Sequence, residues 1–152
     1  MAIKKGLAAF NLKNANIVIL GTFPSDTSLN EQEYYSDSRN QFWQLLGLEK
    51  HDIKGLKQLN IGLWDVIASC ERDGSADKTI KNAKYNDLSV LKGKNVLFNG
   101  KKAYTYFLTA LKQQNLDFKV CEKNVLPSSS AALAIDFKNK KKHWEKIISK
   151  CK

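Results

Sequence analysis

Two short apolar runs, each followed closely by a glycine, constrain this chain more than anything else in its sequence. Ile17-Val18-Ile19-Leu20 ends at Gly21, and Val96-Leu97-Phe98 runs through Asn99 to Gly100. A segment apolar at every position has no face to offer water, and its β-branched residues favour extended backbone. Such segments read as strands covered on both faces, as in a parallel sheet. Parallel strands need long crossovers, and helical patterns lie where crossovers are required. From Lys101 to about Gln114, Ala103, Phe107, Ala110 and Leu111 recur at the helical period. Ser38 to Leu46 reads as a helix with Ser38 as N-cap and Gln41 three residues on. Ile53–Leu59 and His143–Cys151 read as two more, the last burying Trp144, Ile147 and Ile148. Ile61 to Ile67 is another apolar, strand-like segment, whereas Ser75 to Asp87 reads as irregular. Phe118–Val120 and Asn124–Leu126 lead into Pro127-Ser128-Ser129-Ser130. Strands alternating with helices predict an α/β sandwich around a short parallel sheet, with residues 1–152 as a single domain.

Composition narrows the function classes. No apolar run approaches the ~20 residues of a membrane span. The start, Met1 to Lys5, reaches Gly6 without an apolar signal core, so a cytoplasmic location is expected. The three cysteines, Cys70, Cys121 and Cys151, are far apart and form no CxxC, which argues against a disulfide framework or a zinc ribbon. His51 and His143 are the only histidines and have no metal-binding spacing. Neither GxGxxG, GxxxxGK[ST] nor GxSxG occurs, which removes the main signals for dinucleotide, P-loop and serine-hydrolase chemistry. Net charge is +10, and from Phe137 onward seven lysines face one glutamate. Such a surface suits a phosphate backbone, although lysine richness alone could produce it. Lys138, Lys140, Lys141 and Lys142 read most simply as a solvated basic face.

Open α/β sheets bind ligands beyond the C-terminal ends of their strands. Three loops leave strands there: residues 21–40, Asn99-Gly100, and residues 126–133. The first carries Phe23, Pro24, Tyr34, Tyr35, Arg39 and Asn40, flat rings mixed with hydrogen-bonding groups. Rings can stack on bases for roughly 1–3 kcal/mol each, and they can equally cap a core edge. Asp65 is the one carboxylate inside an apolar block; it could tune the pocket, but pairing with Arg39 or Arg72 is the simpler account of it.

Taken in order, these blocks resemble the hypoxanthine-DNA glycosylase branch of the uracil-DNA glycosylase superfamily. The similarity rests on Gly21-Thr22-Phe23-Pro24-Ser25, Tyr34-Tyr35, Arg39-Asn40-Gln41-Phe42-Trp43, Gly62-Leu63-Trp64-Asp65-Val66, Cys70-Glu71-Arg72, Asn86-Asp87, Leu97-Phe98-Asn99-Gly100 and Leu126-Pro127-Ser128-Ser129-Ser130. The resemblance implies a three-layer sandwich with about four parallel strands between helices. It implies a monomer that hydrolyses the N-glycosidic bond of a deaminated nucleotide in DNA, without cofactor or metal, in bacterial- or archaeal-type base excision repair. Mismatch-specific uracil glycosylases carry an Asn before the motif proline, where this chain has Phe23. In the hypoxanthine branch the essential Asn lies in the Arg-Asn-x-Phe-Trp run, here Asn40. That difference favours hypoxanthine over uracil. The last motif departs from the branch's Ser-Ser-Ser-Pro-Ala-Asn, reading Ser130-Ala131-Ala132-Leu133 here.

The implied roles follow from the reaction. The nucleotide must leave the duplex before its sugar carbon can be attacked. Asn40 would orient the attacking water through its amide oxygen, which lacks the basicity to remove a proton. The ordinary alternative for Asn40 is a helix cap. Phe23 or Tyr35 would stack on the base, Asn99 would bond its edge, and Gly21 and Thr22 would admit it. Pro24, Ser25, Ser128, Ser129 and Ser130 would contact flanking DNA, and Leu133 would act as a wedge. Asn99 satisfying local backbone groups and the serines forming turns are the structural alternatives. A uracil or mismatch glycosylase, and a silent nucleic-acid-binding module of the same fold, are the rival functions.

Overall fold

The computed structural model describes residues 2–151. Four parallel strands form its centre in the order β3-β2-β6-β7, where β2 is Ile17–Gly21, β3 Ile61–Asp65, β6 Asn95–Asn99 and β7 Val125–Leu126. The alternation of strand side chains explains why the runs are apolar throughout. Val18, Leu20, Val96 and Phe98 pack on one face against Ala103, Phe107, Ala110 and Leu111 of α4 (Lys101–Gln113). Ile17, Ile19, Leu63 and Leu97 pack on the other face. Their partners there are Phe42, Trp43 and Leu45 of α2 (Phe42–Leu45), Leu56 of α3 (Ile53–Gln58) and Trp144 of α5 (Phe137–Ser149). Each fully buried side chain of this kind contributes roughly 1.5–3 kcal/mol, so the sheet is held from both sides. The outer edge of β3 is covered by Phe10, whose backbone exchanges two hydrogen bonds with Leu63 at 2.8 and 3.0 Å.

The expected three-layer α/β architecture is present, and the helices over residues 53–58 and 101–113 lie where the periodicity put them. Other elements differ. The segment Ile61–Ile67 is two strands: β3 ends at Asp65, and Val66 carries the chain into β4 (Ile67–Glu71) of a second sheet. This sheet is antiparallel, in the order β1-β4-β5, with β1 Ile3–Lys5 and β5 Lys81–Tyr85. The stretch expected to be irregular therefore contains a strand. Its Lys81-Asn82-Ala83-Lys84-Tyr85 is too polar to announce itself, and backbone pairing with β4 supplies what hydrophobic pattern does not. The last helix begins at Phe137, six residues before the expected start, so most of the lysine run is helical.

The helix expected from Ser38 shrinks to the single turn of α2. Asp37 takes over the preceding residues: its carboxylate accepts from Arg39 N–H at 2.9 Å and its carbonyl from Asn40 N–H at 2.9 Å. The Gln41 N–H then donates across the fold to Ser129 O, at 2.9 Å. Ser38 is exposed and makes no cap. The chain passes from β2 to β3 on one side and later to β6 on the other, so the switch in strand order lies beside β2. The loops after β2, β6 and β7 gather around that point, where such sheets form crevices.

Candidate active site

These loops enclose one cavity of about 380 Å³. Of the residues expected at the site, Gly21, Thr22, Phe23, Pro24, Ser25, Tyr35, Asn40, Asn99, Ser128, Ser129 and Ser130 all line it. Leu133 does not. It is half-buried on the following loop, whereas Ile135, two residues on, is 40% exposed. Arg39 and Asp37 stand at the cavity as an ion pair at 3.0 Å, with Arg39 largely exposed.

The first loop is built around Gly21, the last residue of β2. A Cβ there would lie 2.5 Å from Asp65 Oδ1 and 3.3 Å from the Tyr35 hydroxyl, so only glycine lets these two groups approach the strand end. Ser25 caps α1 (Asp26–Glu31) by accepting from Ser28 N–H at 3.1 Å. Arg72 is buried and donates to Pro24 O at 2.7 Å, while its guanidinium lies 5.0 Å from the centre of the Phe23 ring. Phe23 is itself nearly buried against Ile67 and Cys70. Tyr35 sits at φ 54° and stacks on Phe42, ring centres 3.9 Å apart and 11° from parallel. One of its faces is thus backed by the core, and it remains the better candidate for a ring against a planar ligand.

Asn40 ends the turn. Its amide oxygen accepts from the N–H of Phe42, the first residue of α2, at 3.0 Å. This is a local turn made one residue before the N-cap Gln41, whose own side chain makes no cap; Ser38, the expected cap, takes no part. A carbonyl oxygen has two acceptor directions, and this bond fixes the amide plane while using one of them. Asn99 is committed differently. Its Nδ2 donates to Ser129 Oγ and its Oδ1 accepts from Ser129 N–H, both at 2.8 Å. It holds the serine loop, where the sequence left it between bonding a base edge and satisfying its own backbone neighbourhood. Ser128 and Ser130 hydroxyl oxygens accept from the N–H groups of Ser130 and Ala132, each at 3.2 Å. These turns leave both O–H groups able to donate. Gly100, at φ 94°, lets the loop pass close by, since a Cβ there would meet Ser128 Cβ at 3.2 Å.

Asp65 was expected to pair with Arg39 or Arg72 and pairs with neither. Arg39 is bound to Asp37, and Arg72 to Asp26 and Asp77 at 3.4 and 3.3 Å. Asp65 is 5% exposed, and its Oδ2 has no hydrogen-bond partner. Burial, and then the negative charge of Asp77, push its carboxyl up to about 7, against the pull of Arg72. The Tyr35 hydroxyl is likewise buried and makes no hydrogen bond of normal geometry, and burial followed by the Asp65 charge pushes its ionisation upward, against the pull of the nearby Asn99 side chain. Of the two accounts the sequence offered for Asp65, ion pairing is the wrong one, and its place in the cavity lining fits the other, tuning of the pocket. Among the described residues no group of three His, Cys, Asp or Glu side chains could hold a metal ion.

The family profile described as the Uracil DNA glycosylase superfamily matches residues 8–152. The chain belongs to the uracil-DNA glycosylase superfamily. It is 37% identical to a Methanosarcina acetivorans protein named hypoxanthine DNA glycosylase, over 96% of this chain and 98% of that one. It is 33% identical to a protein of the same name from Methanosarcina barkeri, over 97% and 99%. A solution NMR structure from Methanosarcina acetivorans, provisionally described as a uracil DNA glycosylase, superposes with a TM-score of 0.72. It is 35% identical and covers 99% of both chains. In this superfamily member the Asn40 turn, the Gly21 strand end and the serine loop therefore face a single cavity at the strand-order switch.

Proposed function

We propose that this superfamily member is a DNA glycosylase that removes hypoxanthine from deoxyinosine, acting as a monomer on a nucleotide flipped into the cavity. The observation that carries the reading is the meeting of Asn40, Tyr35 and Asp65 around one cavity at the switch point. Asn40 orients water through the free acceptor direction of its amide oxygen. Its contribution is positioning, which intramolecular reactions show to be large. The base stacks on Tyr35, which Phe42 keeps from turning. Deamination of adenine converts its N1/N6 amidine edge into a lactam, with N1–H beside a carbonyl. The Asp65 carboxyl, with one oxygen unpaired at the cavity, offers an acceptor to that N1–H. Such a buried group left unpaired costs about 1–3 kcal/mol, and the bound base removes that cost. Negative charge grows on the base as its bond to the sugar breaks. A neutral Asp65 spares it a repulsion that an ionised one would exert. The names of the full-length Methanosarcina relatives support the same base.

Uracil also presents a lactam, so the test carries both bases. Labelled duplexes with one central deoxyinosine or deoxyuridine are incubated with wild type and Asn40→Ala, then treated with alkali. Strand cleavage at deoxyinosine that disappears in the variant supports the reading. Cleavage at deoxyuridine alone moves the substrate to uracil, and tight DNA binding without any abasic product leaves a binding module.

A further inference from the structure

The basic run in α5 contains one residue that does not behave as a surface lysine. Lys138 and Lys142 are exposed, but Lys140 is fully buried. Its ammonium donates to Gln41 Oε1 at 2.7 Å and to Ser130 O at 3.2 Å. No carboxylate pairs with it among the described residues. Burial lowers its affinity for the proton, which makes a site that keeps a lysine for two neutral acceptors costly unless those bonds matter.

The two acceptors lie on the two loops that must cooperate. Gln41 follows Asn40 directly, and its N–H donates to Ser129 O. Ser130 belongs to the loop that Asn99 grips through Ser129. One helical turn beyond Lys140, Trp144 Nε1 donates to Pro127 O at 2.7 Å, so α5 holds both ends of the serine loop. We infer that Lys140 is a positioning residue that locks the Asn40 turn to the Ser128–Ser130 loop, fixing the water-orienting amide relative to the DNA-facing serines. The ammonium serves where a neutral donor would be weaker, because hydrogen bonds from an ionised donor are roughly twice as strong. Its charge is then a structural device, and the exposed lysines around it are left to attract DNA.

This inference rests on the proposed glycosylase activity for its kinetic consequence only. The variants are Lys140→Met, which keeps the stem and removes the donor, and Gln41→Leu, which removes the acceptor at a half-buried position. Gln41→Glu restores an acceptor. Single-turnover excision of deoxyinosine is measured beside binding of an uncleavable 2′-fluoro-deoxyinosine duplex. Both disrupting variants are expected to slow excision about tenfold or more, since small misplacements near a reacting centre have large effects. Binding should stay within about threefold, because an interaction felt mainly in the transition state leaves ground-state affinity alone. Gln41→Glu should recover at least half of the logarithmic loss. If Lys140→Met does not fold, Gln41→Leu decides. Loss of binding with unaltered excision would overturn the inference and make Lys140 a DNA-contacting charge. Unaltered excision and binding would overturn it as well.

Amide hydrogen exchange supplies a readout without substrate. The Gln41 and Ser129 N–H groups should exchange about tenfold faster in the variants, with Val18–Leu20 unmoved. Unchanged protection at both amides would overturn the tie. A wild type inactive on every base, with exchange altered as expected, would refute the glycosylase reading and leave the tie standing.

Discussion

Asp65→Asn tests the electrostatic core of the site without reference to DNA. A free aspartate in an unfolded chain ionises near pH 3.9, whereas Asp65 in the folded chain holds its proton to about pH 7. Between these values the unfolded state releases this proton and the folded state retains it. Stability therefore falls as pH rises through the window and levels above pH 7. At about 1.36 kcal/mol per pH unit, the whole window is worth about 4 kcal/mol, of which about 3 lies between pH 5 and 8. Asparagine fills the same space and cannot ionise, so its own cost of burial is the same at every pH. Urea unfolding of both chains at pH 5, 6, 7 and 8 isolates the effect from all other titrating groups. The wild type should lose about 3 kcal/mol relative to the variant across this range, and the variant should be the more stable of the two at pH 8. Parallel profiles would mean that Asp65 ionises normally, through water or an ion pair, and the argument for a neutral carboxyl at the cavity would fail. Excision gives a second reading of the same group. The wild-type rate should decline above pH 7, and the asparagine variant should lack that limb.

Asn40→Ala should cut deoxyinosine excision by about a hundredfold or more through lost positioning, and the lost bond to Phe42 N–H should cost about 1 kcal/mol in urea unfolding. Full activity in a folded variant would remove Asn40 from the reaction. Gly21→Ala drives a methyl onto Asp65 and Tyr35, so it should destabilise by about 1–3 kcal/mol as overpacking does and abolish base release; a stable, active variant would contradict the packing at the strand end. If a side chain of the last loop fills the gap in the duplex, Ile135→Ala should slow excision from duplex more than from single strands, and more than Leu133→Ala does, because only Ile135 is exposed. Equal effects of both substrates would argue against a wedge. Replacing Lys138 and Lys142 by Gln should flatten the salt dependence of DNA binding by up to about two in slope, and an unchanged slope would place the DNA elsewhere.

The central sheet was legible because its two main strands are apolar at every position, and only burial on both faces makes that composition tenable. Helices over residues 53–58 and 101–113 were legible for a related reason, each carrying its period within its own segment. The antiparallel sheet was not. Lys81–Tyr85 has only Ala83 and Tyr85 to mark an inner face, and it becomes a strand by pairing with β4, ten or more residues away. The start of α2 failed similarly, since Ser38 has the right chemistry for a cap but Asp37 claims the N–H groups of Arg39 and Asn40, and the distant Ser129 that of Gln41.

At the site the order of short motifs located the loops, and eleven of the twelve expected residues line one cavity. Their tasks were another matter. The chain's own local pattern determined that strands end at Gly21 and Asn99 and that polar and aromatic residues follow them. Tertiary structure alone decided that Asn99 grips Ser129, that Asp65 is left without a cation, and that Lys140 turns inward while its neighbours face water. Periodicity reports which side of an element meets the core. The partner of a buried polar group is set by distances between segments far apart in the chain, and no local pattern carries those distances.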